Sequence, residues 1–258
     1  MVVAPEQILI LCIVAFAAGF VDAIVGGGGL LQTPATIVVL RGFPVVNAIG
    51  SIKLPSFSGT FFAALQYARR VRFNITLTVI MCTVAFFASF AGSELLSVTS
   101  NDFMKPVLLV VLVGVALYTF FKKDFGQHEI KEHSKQRELT YAVFISIVIG
   151  FYDGFIGPGA GSFFILAFIS LLGYDFLHAS AQAKLVNLAT NLGSIVLFTF
   201  KGKIIWGVAI PMAVCNAVGG MLGARMAMAK GNRFIRIFFL FIVTATLLRF
   251  AVEVIFKK

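Results

Sequence analysis

The sequence predicts an all-α integral membrane protein built from two tandem homologous halves, with short glycine-broken helices and roughly eight to ten membrane segments. Two observations predict this fold class. Of the 258 residues, 59% are hydrophobic and only 12% are charged, whereas soluble domains carry about a quarter charged residues. The chain also matches itself when it is shifted along its own length, so one half is expected to repeat the other.

Eight apolar stretches approach the roughly 20 residues that a helix needs to cross the hydrocarbon core. They are residues 8–25, 48–68, 73–96, 106–121, 139–156, 179–200, 204–228 and 234–256. Two shorter runs, 30–40 and 162–172, would each rise about 16 Å, which is half the core, so we expect broken or re-entrant helices there. No basic residue precedes the first stretch, and we expect that segment to be retained rather than cleaved as a signal peptide.

The net charge of +10 could indicate a nucleic-acid partner, but its distribution favours a lipid bilayer. The basic residues stand mainly at segment ends, where cytoplasmic loops and headgroups favour them: Arg69, Arg70, Arg72, Lys122, Lys123, Lys230, Arg233, Lys257 and Lys258. The three cysteines, Cys12, Cys82 and Cys215, are isolated and are expected to be packing residues. We therefore expect no metal and no cofactor, and we interpret His128 and His133 as part of a solvated linker.

A shift of 131 residues aligns the two halves without a gap, since 153 − 22 and 184 − 53 both equal 131. The shift brings these residues onto identical ones: Gly19, Phe20, Asp22, Gly26, Gly28, Gly42, Ala48, Lys53 and Leu54 fall on Gly150, Phe151, Asp153, Gly157, Gly159, Gly173, Ala179, Lys184 and Leu185. The predicted units are a first repeat at 1–121, a hydrophilic linker at 122–138 and a second repeat at 139–258. Paired halves with a glycine-interrupted segment at the same place point to a secondary transporter.

The relative orientation of the halves depends on the two short runs. If each returns the chain to the side it came from, each half crosses an odd number of times and the repeats are inverted. If each merely finishes the preceding span, the repeats are parallel. Both arrangements give the same excess of basic residues on one face, so charge does not decide. We favour inverted repeats, because that architecture accompanies broken helices, with the linker in the cytoplasm.

The glycine-rich turns are the first candidate binding element. Residues 26–29 are four glycines, and the sequence Gly-Pro-Gly-Ala-Gly occupies 157–161. The short helices expected to begin near Leu30 and Ser162 would expose N–H groups and a partial positive charge, which bind anions. Gly28, Gly29, Gly159, Gly161 and Ser162 are therefore candidate substrate-binding residues. Close helix packing through small residues is the structural alternative.

Two lysines inside apolar runs are the second candidate element. Lys53 and Lys184 are aligned by the shift, and a buried lysine normally faces a partner or a watery cavity. We expect them to form a positively charged pocket for a small anion such as a carboxylate. Polar neighbours at helical spacing add Asn47, Ser51, Gln182 and Asn187 to the candidate site. The alternative is that the lysines snorkel to the nearby interface.

Two aspartates precede the glycine turns. Asp22 and Asp153 could partner the lysines or carry a coupling proton, or each could brace its turn by hydrogen-bonding the backbone. Two membrane aspartates also admit an intramembrane aspartyl hydrolase, in which the carboxyls share a proton. The second element of that protease pattern, Gly-x-Gly-Asp, is absent from the sequence, so we do not expect an enzyme.

These motifs resemble those of the TauE/SafE family, the sulfite exporter or four-toluene-sulfonate-uptake permeases. The resemblance lies in the runs from Gly150 to Ser162 and from Ala179 to Leu188, and in Asp22, 26–29 and 48–54 of the first half. At Ser51 the family often has Thr. The resemblance implies a multi-pass bacterial inner-membrane permease for small sulfur-containing anions such as sulfite, sulfoacetate or other sulfonates.

The sequence thus predicts a secondary carrier whose partners are a small anion and the lipid bilayer, with no nucleic acid. An anion channel remains the alternative, because broken helices serve channels as well. The residues leave open the exact substrate, a coupling proton or ion, the direction of transport and the oligomeric state, a homodimer included.

Overall fold

A computed structural model describes residues 3–104, 107 and 134–256, with side chains described as far as Gly231. The described residues form helices and no strands. The helices are α1 (Pro5–Val25), α2 (Gly28–Val39), α3 (Val45–Ala68), α4 (Ile75–Val98), α5 (Lys135–Phe155), α6 (Ala160–Leu172), α7 (Phe176–Phe200) and α8 (Trp206–Phe256). The prediction of an all-α chain is confirmed for this part of the protein.

Five of these helices are long and apolar enough to cross a membrane: α1, α4, α5, α7 and the part of α8 from Trp206 to Gly231. The helix α3 has 24 residues and carries Lys53. The two predicted segments 204–228 and 234–256 fall in one helical run, which a non-helical Gly231 (φ 69°, ψ −168°) interrupts. The predicted segment 106–121 and most of the linker, including His128 and His133, lie outside the described residues.

Local sequence explains where the helices begin and end. The Asn74 side chain accepts a hydrogen bond from the Leu77 N–H at 3.2 Å and caps α4. The Asp175 carboxylate caps α7 in the same way, accepting from the Leu177 N–H at 2.8 Å. At the C-terminal end of α6, Gly173 adopts φ 74°, a left-handed conformation that ends the helix.

The bundle has a hydrophobic core like that of a soluble protein, but its outer surface is apolar as well. Large apolar side chains are exposed on the outside of the bundle, including Ile13, Ile75, Phe87, Phe144 and Val214. The interior holds lysine, aspartate, asparagine and glutamine side chains. A hydrocarbon solvent stabilises this arrangement, because apolar surface faces lipid and each buried polar group must find a partner inside.

Helices from the two ends of the chain pack against each other. The helix α1 packs on α8, and α4 packs on α5 and α7. These contacts are close, because a Cβ atom on Gly92 would lie 2.1 Å from the Phe151 carbonyl oxygen, and one on Gly223 would lie 2.3 Å from the Phe20 carbonyl oxygen. Small residues at these positions let the helix backbones touch, as is usual in membrane bundles.

Two side-chain contacts show which helix ends lie together. The Gln7 amide near the start of α1 donates to the Val39 carbonyl at the end of α2, at 3.2 Å. The Tyr174 hydroxyl, which follows α6, donates to Glu138 near the start of α5, at 3.4 Å. Each short helix therefore ends close to the beginning of the long helix that precedes it.

Candidate functional site

The two glycine turns meet inside the bundle. The helix α1 ends at Val25 and is followed by Gly26 with φ 75°. Between α5 and α6, Gly157 (φ 92°) and Gly159 (φ 80°) also have left-handed backbones. The Ser162 N–H donates to the Gly26 carbonyl at 3.0 Å. A Cβ atom on Gly26 would stand 2.3 Å from the carbonyl carbon of Gly161. Glycine is required here both by the left-handed backbone and by the lack of space.

The short helices begin two residues earlier than the sequence predicts, at Gly28 and Ala160 rather than near Leu30 and Ser162. Some of the N–H groups expected to face an anion already have partners. The Gly28 N–H donates to Asp22 Oδ1 at 3.2 Å, and the Ser162 N–H donates to the Gly26 carbonyl at 3.0 Å. The Ser162 hydroxyl also donates, to the Val25 carbonyl at 2.9 Å. Gly28 and Ser162 therefore brace the crossing of the two turns.

Lys53 forms a buried ion pair with Asp153. Its Nζ lies 2.9 Å from Asp153 Oδ1 and 2.5 Å from the Asp153 carbonyl oxygen, and both side chains are about 5% exposed or less. The other carboxylate oxygen, Oδ2, accepts from the Asn187 amide at 3.1 Å and from the Thr190 hydroxyl. Every charge in this cluster thus has a partner, as burial in a low dielectric requires.

Lys184 forms the second pair, with Asp22. Its Nζ lies 2.8 Å from Asp22 Oδ2 and also donates to the Asp22 carbonyl oxygen. The Lys184 side chain is 1% exposed and that of Asp22 is 18% exposed. Thr60 donates to Asp22 Oδ2 at the longer distance of 3.4 Å.

The ion pairs cross between the two parts of the chain. Each lysine pairs with the aspartate from the other side of the linker, so that Lys53 meets Asp153 and Lys184 meets Asp22. Partnering of lysines by aspartates, one of the sequence alternatives, is what the structure shows. Snorkelling is not, since both ammonium groups lie inside the bundle. Asp22 also braces its glycine turn, so two of the alternatives hold at that residue.

A small cavity lies between the two glycine turns. Its volume is about 30 Å³, which is room for about two waters. It is lined by Asp22, Gly26, Gly29, Thr33, Ile49, Ile52, Lys53, Ser56, Asp153, Ile156, Gly157, Gly159, Ala160, Gly161, Asn187 and Asn191. We call this space the central cavity.

Seven predicted site residues therefore line the central cavity: Lys53, Asn187, Gly29, Gly159, Gly161, Asp22 and Asp153. Lys184 is adjacent through its pair with Asp22 but does not line it. The predicted positively charged pocket is thus balanced in charge, because the Lys53 ammonium in it and the adjacent Lys184 ammonium are each paired with an aspartate. The physical reason is that an unpaired buried charge is strongly destabilising.

The predicted site residues Asn47, Ser51 and Gln182 do not line the central cavity either. The Ser51 hydroxyl donates to the Asn47 carbonyl at 2.7 Å and accepts from the Ile205 N–H at 2.8 Å, which ties α3 to the start of α8. Gln182 lines a different cavity at the end of the bundle. Sequence reasoning missed Thr33 and Ser56, although Thr33 follows Gly29 by one helical turn and Ser56 follows Lys53 by three residues.

The site shows no means of holding a metal. Among residues 3–104, 107 and 134–231, no three His, Cys, Asp or Glu side chains come together in a way that could bind one. The three cysteines are free thiols. The polar chemistry of the described interior is therefore that of paired ammonium and carboxylate groups with neutral hydrogen-bond donors around them.

Comparison with known proteins agrees with this picture. A family model described as "Sulfite exporter TauE/SafE" matches residues 11–250. A protein of Sinorhizobium sp., named "Probable membrane transporter protein ORF9", is 35% identical over 88% of this chain and 85% of its own length. "Probable membrane transporter protein YfcA" of Escherichia coli K12 is 33% identical over 91% and 86%, and a "Probable membrane transporter protein" of Haemophilus influenzae is 35% identical over 90% and 89%. No solved structure matches the chain significantly. The chain belongs to the TauE/SafE family of multi-pass membrane transporters.

Proposed function

We propose that the protein is a secondary transporter of the bacterial inner membrane that carries a small anion between its two halves, near the membrane midplane. The substrate class we propose is a sulfur oxyanion or organosulfonate such as sulfite or sulfoacetate. The observation that carries the proposal is the buried Lys53 ammonium, which lines the central cavity at the meeting point of two broken helices. The description of the matching family supports the sulfur-containing class.

Lys53 is the residue that we propose binds the anion. Its Nζ is 3.3 Å from the position of a Cβ atom on Gly157, so the ammonium lies against the glycine turn. An anion entering here would take the place of the Asp153 carboxylate beside Lys53. Asn187 and Thr190 already donate to Asp153 Oδ2 and would continue to stabilise that carboxylate.

Transport requires the central cavity to open, because a volume of about 30 Å³ holds little more than water. We propose that the two repeats, 1–121 and 139–258, move against each other and expose the cavity to each side in turn. The crossed ion pairs support this view, since each half supplies the ammonium for one pair and the carboxylate for the other.

We propose that the repeats are inverted. The Gln7–Val39 contact puts the start of α1 and the end of α2 at one end of the bundle, and the ion pair between Lys201 and Glu94 puts the ends of α7 and α4 together. The Tyr174–Glu138 contact puts the start of α5 where α7 begins. The helix α3 carries the chain to the opposite end of the bundle and α4 brings it back, so α4 and α7 end where α1 begins. The helix α7, and with it α5, therefore begins at the opposite end, and α1 and α5 would start from opposite faces. Arg69, Arg70 and Arg72 lie on the α5 side, which the positive-inside rule assigns to the cytoplasm.

The arrangement of the aspartates favours a carrier over a hydrolase. An aspartyl hydrolase needs two carboxyls that share one proton at close range. Here each carboxylate is paired with a different lysine, and Asp22 also holds the backbone of its turn. We propose instead that these aspartates balance the lysine charges during transport, with a proton as the coupling ion.

Proteoliposomes test the proposal directly. Purified protein would be reconstituted into liposomes that contain sulfite or sulfoacetate. The exchange of internal substrate with labelled external substrate would be measured against time and against substrate concentration. We expect saturating exchange that Lys53→Gln abolishes. The matched control is Lys201→Gln, which removes an equally short ion pair from the exposed surface and should leave exchange unchanged. Exchange by Lys53→Gln at the wild-type rate would refute the role of Lys53, and non-saturating flux would favour a channel.

A further inference from the structure

A second cavity lies at the end of the bundle that carries the Arg69–Arg72 loop, away from the central cavity. Its volume is about 230 Å³, and it is lined by Arg72, Phe73, Asn74, Gly173, Tyr174, Asp175, His178 and Gln182. The loop between α3 and α4 forms one wall, and the loop between α6 and α7 forms the other. We call this space the outer cavity. It is several times larger than the central cavity and is large enough for a small oxyanion with its water.

One of the residues that line the outer cavity carries a buried amide whose N–H group lacks a strong acceptor. Gln182 is 4% exposed, and its Oε1 accepts a hydrogen bond from the Thr78 hydroxyl at 3.1 Å. This bond directs the Nε2 group toward Met81, whose sulfur lies 3.6 Å away. A thioether is a weak acceptor, so the amide retains donor capacity that a charged oxygen would satisfy far better.

Arg72 provides the positive charge. It is exposed at the mouth of the outer cavity, and no acidic side chain in the described ranges forms an ion pair with it. A guanidinium group presents several N–H donors in a planar fork that matches two oxygens of one oxyanion. Asn74 and Tyr174 add neutral polar groups to the same walls.

The acidic groups near the outer cavity are already engaged. Burial by itself would raise the pKa of Asp175, but hydrogen bonds from His178 and from the Leu177 backbone outweigh it and hold the pKa below its ordinary value. Its charge therefore pairs with the His178 ring and the start of α7. Glu138 accepts from Tyr174, and burial together with that carboxylate raises the pKa of Tyr174 to about 12, so the phenol stays a donor. Among the described residues that line the outer cavity, Arg72 is the charged group that forms no ion pair.

We propose that the outer cavity is a second anion site, in which Arg72 and the Gln182 amide hold a small oxyanion at the face that carries the basic loop. The role of this second site as an entry site for the transported anion rests on the proposed function. The same chemistry would recognise the phosphate of a lipid headgroup, and the experiment must separate the two sources. We assign the site to the small solute, because the Gln182 side chain that the ligand must reach is only 4% exposed.

Equilibrium binding of ³⁵S-sulfite to the protein in phosphatidylcholine nanodiscs is the test. We expect Arg72→Gln to weaken binding by about 10- to 100-fold, as for loss of a charged hydrogen bond, and Gln182→Leu to weaken it as well. In transport assays Arg72→Gln should raise KM and leave kcat unchanged. The matched control is Arg69→Gln, in the same loop but outside the cavity lining, which should bind like wild type.

The outcomes separate this inference from the proposed function. Binding that depends on Arg72 and survives in Lys53→Gln supports the site, even if the wild-type protein transports no sulfite. Transport that depends on Lys53, together with wild-type binding and KM in both Arg72→Gln and Gln182→Leu, overturns the site and leaves the proposed function standing. A phosphatidylglycerol molecule that native mass spectrometry finds held by Arg72, and that sulfite does not displace, also overturns it.

Discussion

Breaking either crossed ion pair at one residue should cost far more stability than removing both charges together. The Lys184–Asp22 pair is the clearer case, because Lys184 is 1% exposed and does not line the central cavity. Lys184→Met leaves the Asp22 carboxylate without its cation, and Asp22→Asn leaves the ammonium without its anion. Loss of one partner of a buried pair costs about 3–5 kcal/mol. The double variant Lys184→Met/Asp22→Asn leaves no stranded charge and should recover most of that loss.

The expected change is large enough to measure by thermal unfolding in detergent. At about 2–4 °C per kcal/mol for a chain of this size, each single variant should unfold about 6–20 °C below wild type. Lys201→Met is the control, because its pair with Glu94 has nearly the same distance, 2.9 Å, but both side chains are 42% exposed. Such a surface pair contributes about 0–1 kcal/mol, so Tm should fall by no more than about 4 °C. Losses that simply add in the double variant would refute the reasoning.

Gly161→Ala should prevent folding, because a Cβ atom there would lie 2.6 Å from the Gly26 carbonyl oxygen. The control Gly207→Ala, whose Cβ would have nothing within 4 Å, should express like wild type. Fluorescence-detected size-exclusion chromatography measures both variants, and normal folding of Gly161→Ala would show that the turns do not meet. Ser51→Ala leaves the Ile205 N–H without its acceptor and should lower the free energy of unfolding by about 1–3 kcal/mol, with the KM for sulfite unchanged. A raised KM would indicate that Ser51 belongs to the binding site. Asp175→Ala should cost about 0.5–2 kcal/mol through loss of the α7 cap. Because the pKa of Asp175 is lowered on folding, this contribution is complete above the unfolded value near 3.8 and is lost as pH falls through the folded value. A Tm difference between wild type and Asp175→Ala that persists undiminished at pH values well below 3.8 would contradict this assignment.

Much of the fold could be predicted from the sequence, because a membrane imposes strong local rules. Helix bounds follow from runs of apolar residues, and the observed α3 and α7 begin only three residues before the predicted stretches. The glycine turns were predictable as breaks because four consecutive glycines disfavour a helix by about 1 kcal/mol each. The segment 106–121 remains a prediction, since it lies outside the described residues.

The site was predicted less completely, and the errors have a geometric cause. Gln182 and Ser51 were grouped with Lys184 and Lys53, yet each precedes its lysine by two residues, which is about 200° around a helix. They therefore face away from the central cavity, toward the outer cavity and toward α8 respectively. Asn187, three residues after Lys184, does line the central cavity, because that spacing keeps side chains on one side of the helix.

The pairing of charges could not be obtained from the sequence, because it depends on contacts between residues 100 and 162 positions apart. Any of the lysine–aspartate combinations satisfies local spacing. Only the packing of α3 and α7 between the two glycine turns selects the crossed arrangement, in which neither half can complete its own charge balance.

The two crossed pairs are not equal, and the difference can be traced to single residues. The 131-residue shift aligns Asn187 and Thr190, which donate to Asp153, with Ser56 and Gly59. Gly59 has no side chain to offer, and the space is filled by Asn216, whose Oδ1 would lie 1.9 Å from a Cβ atom there. Asp22 is thus left with a weaker donor, Thr60 at 3.4 Å.

This difference in hydrogen-bond donors favours different roles for the two ion pairs in the proposed transport. Asp153 keeps two neutral donors, Asn187 and Thr190, when an anion approaches Lys53, so its charge still has hydrogen-bond partners. Asp22 is more exposed, at 18% against 5%, and if Lys184 moves away it retains only the Gly28 N–H and the distant Thr60 hydroxyl. A carboxylate without its cation is costly in a low dielectric, so Asp22 depends on Lys184 more than Asp153 depends on Lys53. The proposed division therefore gives anion binding to Lys53 and the coupling proton to Asp22, although the sequence repeat treats the two halves as equivalent.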